Sequence, residues 1–456
     1  MSQSGEQGTG FRGMSHCSCR NKPWFSWTII TLLLCFLLSV LVVSIYPFLG
    51  VQARTTESAG VSTATREGRL AVFDDVWQTI HDRYYDPGFR GIDWENQKTV
   101  FRPEAAEAGS SQAFYTVLQQ MVGSLSDAHT RVYAPEEKFD WWKPRFVGVG
   151  MTLREVEGSV VVVRVEPHSP PDHVGIRPGD IIEAVHGTPA FSLIQQRLNR
   201  QPQPRESSRL HAVAMLMEGL PETTVEVQWR DKKGVLSTAR LPRRWYQRPL
   251  SMHIQREPNE YAVLEIDAFT QAIAINFAGE FPEKLANARG IVVDLRENGG
   301  GDAEAMAEIA SFFLPEGTDL GEFSDRWGSS FKLLTRARSL FSHDKITHSK
   351  QPLILLTSDR TSSAAEIFAA TLRARDRARI IGTETCGCVL AIRTRHTLPD
   401  GGALDVSELD YQTAEGTHLE GHSLKPDQLV LPQRSDLYKR HDRTIEAGLR
   451  LLRVWS

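Results

Sequence analysis

The chain has 456 residues, is 41% hydrophobic and 24% charged, and carries a formal net charge of −4. That balance excludes an intrinsically disordered chain and lacks the basic excess of a nucleic-acid binder. The length leaves room for two to four domains, and no solenoid or propeller period is visible.

Residues 1–26 form a polar tail in which Arg12, Arg20 and Lys22 stand against one acidic residue, Glu6. Cys17 and Cys19 lie in this tail and read as free thiols rather than lipidation sites. From Trp27 to Leu49 the chain is nearly all apolar, Cys35 included, and no charge occurs between Lys22 and Arg54. About 23 helical residues span roughly 34 Å, enough to cross a bilayer and longer than a secretory h-region. Residues 27–49 are therefore expected to be a single transmembrane helix. A cleaved signal is the alternative, because Val51-Gln52-Ala53 fits a cleavage site. The positive-inside rule places the tail in the cytoplasm and the body outside it. In a bacterial cell this is a single-pass inner-membrane protein with a periplasmic body.

Residues 50–66 are small and polar and read as a linker. Phe73, Val76, Trp77, Ile80 and Tyr84 then recur at helical spacing, up to the breaker Asp86-Pro87-Gly88. Phe114, Val117, Leu118, Met121, Val122 and Leu125 mark another helix, which runs into Ser126-Asp127-Ala128-His129-Thr130. This gives a small helical module over 67–143. From 144 to 245 the chain is β-rich, with strands at Val147–Met151, Val160–Val163 and Thr224–Trp229. From 246 to 435 it turns α/β. Gly290–Leu295 and Pro352–Leu356 are short apolar runs of the buried-strand kind, each followed by a turn and a helix, Ala303–Leu314 and Ala364–Arg373. Arg379–Gly382 adds a strand, which implies a mixed sheet with flanking helices. Residues 436–456 read as a C-terminal helix. Cys386 and Cys388 are separated by one residue and are poorly placed to bridge each other, so no disulfide framework is expected.

Three motifs in order resemble the C-terminal-processing (tail-specific) serine peptidases and their tricorn-core relatives. They are Asp294-Leu295-Arg296-Glu297-Asn298-Gly299-Gly300-Gly301, Thr361-Ser362-Ser363-Ala364-Ala365-Glu366-Ile367, and Glu420-Gly421-His422-Ser423-Leu424-Lys425-Pro426-Asp427. Ahead of them, Val147–Met151 resembles a PDZ carboxylate-binding loop, and Gly175–Ile182 resembles a PDZ hallmark. The resemblance runs from about residue 67 to 435. It implies a serine protease core, a PDZ domain, and protein or peptide substrates engaged through their C-terminal tails, with no cofactor. His211, His343 and His348 form no recognisable ligand motif, so no metal is expected.

By the same resemblance Ser363 is the nucleophile, at a strand-to-helix turn that Ser363-x-x-Glu366 also fits as a capping box. The Ala364 amide at the helix N-terminus and the backbone of Gly299 or Gly300 would hold the oxyanion. The family lysine is absent, and Cys388 stands in its place. Ile392 replaces the glutamine four residues on. A neutral thiol is no general base; its alternative role as a nucleophile is less favoured than simple space filling. Asp127-Ala128-His129-Thr130 resembles the Asp-x-His-Thr of tricorn-like members, which makes His129 the base and Glu420 the supporting carboxylate. Glu415 competes with Glu420, and Asp127 reads as structural. Gly148, Val149 and Gly150 are the candidate peptide-binding amides. The competing function is a catalytically inactive PDZ scaffold that binds protein C-termini, motivated by the missing lysine.

Overall fold

In this computed structural model the described residues are 61–455, apart from 138–139, 141–144, 200–205, 248–249, 258–259, 342 and 440. The tail, the apolar segment 27–49 and the linker to residue 60 lie outside them. Among the described residues no helix is long and apolar enough to cross a membrane.

Helices open the body. Thr65 Oγ1 accepts from Gly68 N and caps α1 (Arg66–Arg83), whose buried face carries Phe73, Val76, Trp77 and Ile80. Asp93 caps α2 (Trp94–Glu107), and Ser110 caps α3 (Ser111–Gly123). The sequence did not announce α2: its residues are mostly polar, and Pro103 lies inside it. After α3 the chain leaves the helices in β1 (Arg131–Tyr133). That short strand pairs antiparallel with a strand of the distant core, Val132 opposite Leu404.

The β-rich region contains β2 (Arg145–Gly148), β3 (Met151–Val156), β4 (Ser159–Val165), α4 (Pro170–His173), β5 (Ile181–Val185) and β6 (Thr188–Pro189). It continues with α5 (Ala190–Leu198), α6 (Glu206–Ala214), β7 (Thr224–Arg230), β8 (Leu236–Pro242) and β9 (Arg244–Gln247). The sheet order is β3-β4-β5-β7-β8, with β6 beside β5, while β2 pairs with β9. Alternation along β7 points Val225, Val227 and Trp229 into a core shared with Val160, Val162 and Ile194. β3 lies at the edge of this sheet, with α6 packed against it.

The α/β region runs through β10 (Met252–Arg256), β11 (Ala262–Ile266), α7 (Gln271–Lys284), β12 (Ile291–Asp294), α8 (Ala303–Ser311), β13 (Asp319–Asp325) and β14 (Ser330–Leu334). There follow β15 (Leu353–Thr357), α9 (Ala364–Ala374), β16 (Ala378–Gly382), β17 (Leu390–Thr397), β18 (Ala403–Gln412), β19 (Gln428–Leu429), α10 (Arg434–Lys439) and α11 (Arg443–Trp455). The main sheet has the order β10-β11-β12-β15-β16-β19 and is parallel except for the β10–β11 pair. Ile291, Val293, Leu353 and Leu355 face a cluster with Phe277, Phe313 and Phe368. Val292, Ile354 and Leu356 face Leu449 and Leu452 of α11. Burial of both faces is why β12 and β15 are apolar without alternation. A second sheet, β1-β18-β13-β14 with β17 on β18, lies beside it.

The C-terminal segment expected as one helix over 436–456 is divided into α10 and α11. Asp442 starts the second helix by accepting from Thr444 N and Ile445 N, both at 3.0 Å. It also accepts from Arg296 Nη2 at 2.7 Å, while Arg296 Nε donates to Asp294 at 2.9 Å. Side chains among the described residues join the β-rich region to the core. Tyr438 of α10 donates its hydroxyl to Gly179 O at 2.7 Å. On the other side, Arg154 of β3 pairs with Glu297, which also pairs with Arg360 at 3.3 Å.

Candidate active site

The candidate residues gather at the C-terminal ends of β12 and β15, where open α/β sheets hold their ligands. Two turns meet there and are sewn together. Ser358 Oγ donates to Arg296 O at 2.5 Å, Thr361 Oγ1 to Leu295 O at 2.8 Å, and Ser362 N to Asn298 O at 3.1 Å. Ser363 is the N-cap of α9, with φ 55° and ψ −125°. A side-chain-bearing residue in such a conformation costs about 1–3 kcal/mol and persists only where its surroundings hold it. Here Ser363 N donates to Cys388 O at 2.9 Å and to Glu366 Oε2 at 3.2 Å. Ala364 follows as the first helical residue, so its amide has no partner within the helix.

Gly300 N donates to Asn298 Oδ1 at 2.8 Å, so of the two candidate oxyanion amides it is the one already engaged in this structure. Gly300 earns its place through space. Its φ is 94°, and a Cβ would stand 2.7 Å from Ser363 Cβ and 3.0 Å from Ala364 N. Gly300→Ala is therefore expected to lower kcat/KM at least about 100-fold, the usual loss for a displacement near 1 Å. Gly279→Ala in α7, where a Cβ meets nothing within 4 Å, should leave kcat/KM unchanged. Peptidase assays and thermal melting of the two variants check this.

His129 comes from the other end of the chain. β1–β18 pairing carries it to the core, and its turn is pinned onto β18. Asp127 Oδ1 accepts from His129 N at 2.8 Å, Thr130 N at 2.6 Å and Ser407 Oγ at 3.0 Å. Asp127 thus ties the His129 turn to β18. His129 Nδ1 is buried without a hydrogen-bond partner. Burial pushes the imidazole pKa down, and the charges of Asp127 and Glu420 pull it back up. Among the described residues no hydrogen bond joins Ser363 Oγ to His129.

Glu420 is enclosed, its side chain 7% exposed. One oxygen accepts from Val389 N at 2.8 Å and the other from Arg90 Nη1 at 2.8 Å. Burial raises its pKa, against the pull of His129 and Arg90. Glu415 instead pairs with Arg375 at 3.7 Å and is exposed. Arg90 was missed in the sequence, where an arginine after a turn 330 residues from its partner gives no signal. Glu366 was read only as a capping residue, and Glu366 Oε2 does accept from Ser363 N. It does more: its buried carboxylate also accepts from Thr385 Oγ1 at 2.5 Å, Gly387 N at 2.8 Å and Cys388 N at 2.9 Å. Burial pushes its pKa up to about 7, opposed by these donors.

The expectation about the cysteines is overturned. Cys386 and Cys388 are joined in a disulfide, with their Cα atoms 5.2 Å apart. Gly387, at φ 66°, folds the chain back between them. That separation lies near the middle of the usual disulfide range, whereas an extended strand would hold residues two apart at about 6.4–6.8 Å, its upper edge. In this state Cys388 is neither a nucleophile nor a free space-filling thiol.

Of the proposed peptide-binding amides, Gly148 belongs to β2 and pairs with Arg244. Val149 and Gly150 form the turn into β3, and all three residues are buried. Gly150 has φ 86°, and a Cβ there would lie 2.6 Å from Ser169 Cβ. Across the space between β3 and α6, Arg209 Nη2 donates to Glu155 Oε1 at 2.7 Å.

Residues 260–430 match peptidase family S41, and residues 66–123 match the tricorn protease C1 domain. The chain is 27% identical over 412 residues to carboxyl-terminal-processing peptidase 2, chloroplastic, of Arabidopsis thaliana, covering 85% of this chain and 73% of that one. It is 24% identical over 337 residues to the carboxy-terminal processing protease CtpA of Bacillus subtilis, covering 73% and 67%. Among solved structures, mature CPAF complexed with lactacystin superposes with a TM-score of 0.65 at 14% identity, covering 85% and 98%. The photosystem II D1 C-terminal processing protease gives 0.51 at 24%, covering 80% and 93%. At these identities the structural matches speak for the fold: a mixed α/β protease core with a β-rich, PDZ- and tricorn-like companion.

Proposed function

We propose that this chain, which matches peptidase family S41 over residues 260–430 and hydrolyses peptide bonds, is a membrane-anchored serine endopeptidase with Ser363 as nucleophile and His129 as general base. The observation that carries the reading is the strained Ser363 turn, held against a glycine turn at the mouth of the parallel sheet. Ser363 Oγ attacks the scissile carbonyl and passes its proton to neutral His129. The Ala364 and Gly299 amides hold the resulting oxyanion. Glu420, fixed by Arg90 and Val389 N, stabilises the imidazolium that forms. The Ser363–His129 hydrogen bond is formed with substrate in place, as apo catalytic bonds commonly tighten in the Michaelis complex. The segment 27–49 anchors the enzyme and the body acts outside the cytoplasm; its substrates are protein tails, in keeping with the carboxyl-terminal processing that the relatives' names give for them.

Treatment with a fluorophosphonate probe and peptide mapping test the assignment. Label on Ser363 in the wild type that is lost in His129→Ala supports it. Absence of label from a folded protein supplied with a tail peptide defeats it.

A tail enters as an added strand on the β3 edge, its carboxylate at the Val149–Gly150 turn. Charge-assisted hydrogen bonds contribute about 1.5–3 kcal/mol each. Amidating the peptide C-terminus should therefore weaken binding at least about tenfold, as read by fluorescence polarisation with the Ser363→Ala protein. Equal affinity for both peptides would rule out carboxylate recognition.

A further inference from the structure

We propose that the Cys386–Cys388 disulfide is a thiol–disulfide exchange site, through which a dithiol reductant sets the competence of Ser363. The inference rests on the reading of Ser363 as the nucleophile.

A disulfide stabilises a fold mainly by closing a loop in the unfolded chain, and its effect grows with loop length. A bridge between residues two apart closes almost none. What it fixes is local backbone, and that backbone holds the site. Cys386 N donates to Thr361 O at 3.0 Å, just before the nucleophile. Cys388 O accepts from Ser363 N at 2.9 Å. On the other side Gly387 O accepts from Gly421 N at 2.8 Å, and Val389 N donates to Glu420. The bridged segment therefore lies between the serine and the carboxylate assigned to support its base. It has no slack, because a Cβ on Gly387 would stand 2.9 Å from Ser423 N.

The two sulfurs differ in access. Cys388 is 3% exposed, whereas Cys386 is half-buried. Accessible disulfides are the exchangeable ones. A thiolate of the dithiol attacks Cys386 Sγ and forms a mixed disulfide; the Cys386–Cys388 bond breaks and its electron pair leaves on Cys388, which takes a proton. The second thiol of the reductant then displaces Cys386. Two electrons and two protons pass to the pair, and the reductant is released as its own disulfide. Opening the ring removes the constraint on the carbonyl that holds Ser363 at φ 55°, so the reduced enzyme loses its aligned nucleophile. Oxidising compartments outside the cytoplasm keep the bridge closed.

The test uses the full chain in detergent micelles: oxidised, reduced with dithiothreitol, and re-oxidised. Alkylation with peptide mapping separates Cys386 and Cys388 from Cys17, Cys19 and Cys35. Reduction should slow fluorophosphonate labelling of Ser363 at least tenfold, reversibly, and speed amide hydrogen exchange across 361–366 and 385–389. A Cys386→Ser, Cys388→Ser double variant should label at the reduced rate with or without dithiothreitol. Equal labelling and unchanged exchange in protein shown to be reduced would overturn the proposal. So would free alkylation of both thiols without reductant in protein from an oxidising compartment, or a double variant as fast as the oxidised wild type. Failure of the switch alone leaves Ser363 labelled equally in every state. Absence of label in every state overturns the serine reading and the switch with it.

Discussion

Ser363→Ala is expected to lower kcat by a factor on the order of 10⁶, about 8 kcal/mol of transition-state stabilisation, by comparison with other serine nucleophiles that act as part of a unit. The residual rate comes from substrate alignment and the Ala364 and Gly299 amides, which the substitution leaves in place. The fold should be retained. Ser363 is only half-buried, and its anchoring bonds run from its backbone to Cys388 O and Glu366. Far-ultraviolet circular dichroism and a melting temperature within about 2–4 °C of wild type, a range that corresponds to about 1 kcal/mol in a larger domain, would establish that. A variant that hydrolyses peptide as fast as the parent would remove Ser363 from the mechanism.

The pH profile carries the second large effect. The base must be neutral, so kcat/KM falls as pH drops through the free-enzyme pKa of His129, tenfold per unit below it. Burial pushes that pKa under the usual 6.5, and the carboxylates of Asp127 and Glu420 oppose it. The acid limb should therefore begin below pH 6.5, with a plateau through neutrality. Glu366, pushed up to about 7, titrates close by and contacts Ser363 N. A limb near pH 7 that disappears in Glu366→Gln belongs to Glu366. A limb below 6.5 that survives Glu366→Gln and vanishes in His129→Ala belongs to the base. Wild-type protein with no turnover at any pH would leave tail binding by the β-rich domain as its activity.

The sequence made the main sheet legible because β12 and β15 are buried on both faces and need no alternation to be recognised. β18 escaped notice for the opposite reason. It buries Asp405, Ser407 and Glu408, and their partners lie on other elements, one of them 280 residues away. Arg395 meets Asp405, His396 meets Glu408, and Asp127 meets Ser407. A polar residue reads as exposed until its partner is known. The candidate site residues were nameable through motifs; what holds them was not. Arg90 reaches Glu420 from a turn, Asn298 Oδ1 occupies the Gly300 amide, and the disulfide depends on Gly387 taking a positive φ. Each is a long-range or conformational fact that spacing alone does not encode.

The pairing of β1 with β18 also sets an order of events during synthesis. His129 is made early, yet the strand that positions it ends at Gln412. Until that stretch has left the ribosome, β1 has no edge to join and Asp127 has no Ser407 to hold. The nascent chain thus carries His129 and Ser363, the proposed base and nucleophile, before the strand that positions His129 exists. Such distant contacts form slowly, so on the proposed mechanism proteolytic capacity arrives only after β18 has emerged. Any prematurely terminated product ending before residue 403 would be inert toward its neighbours.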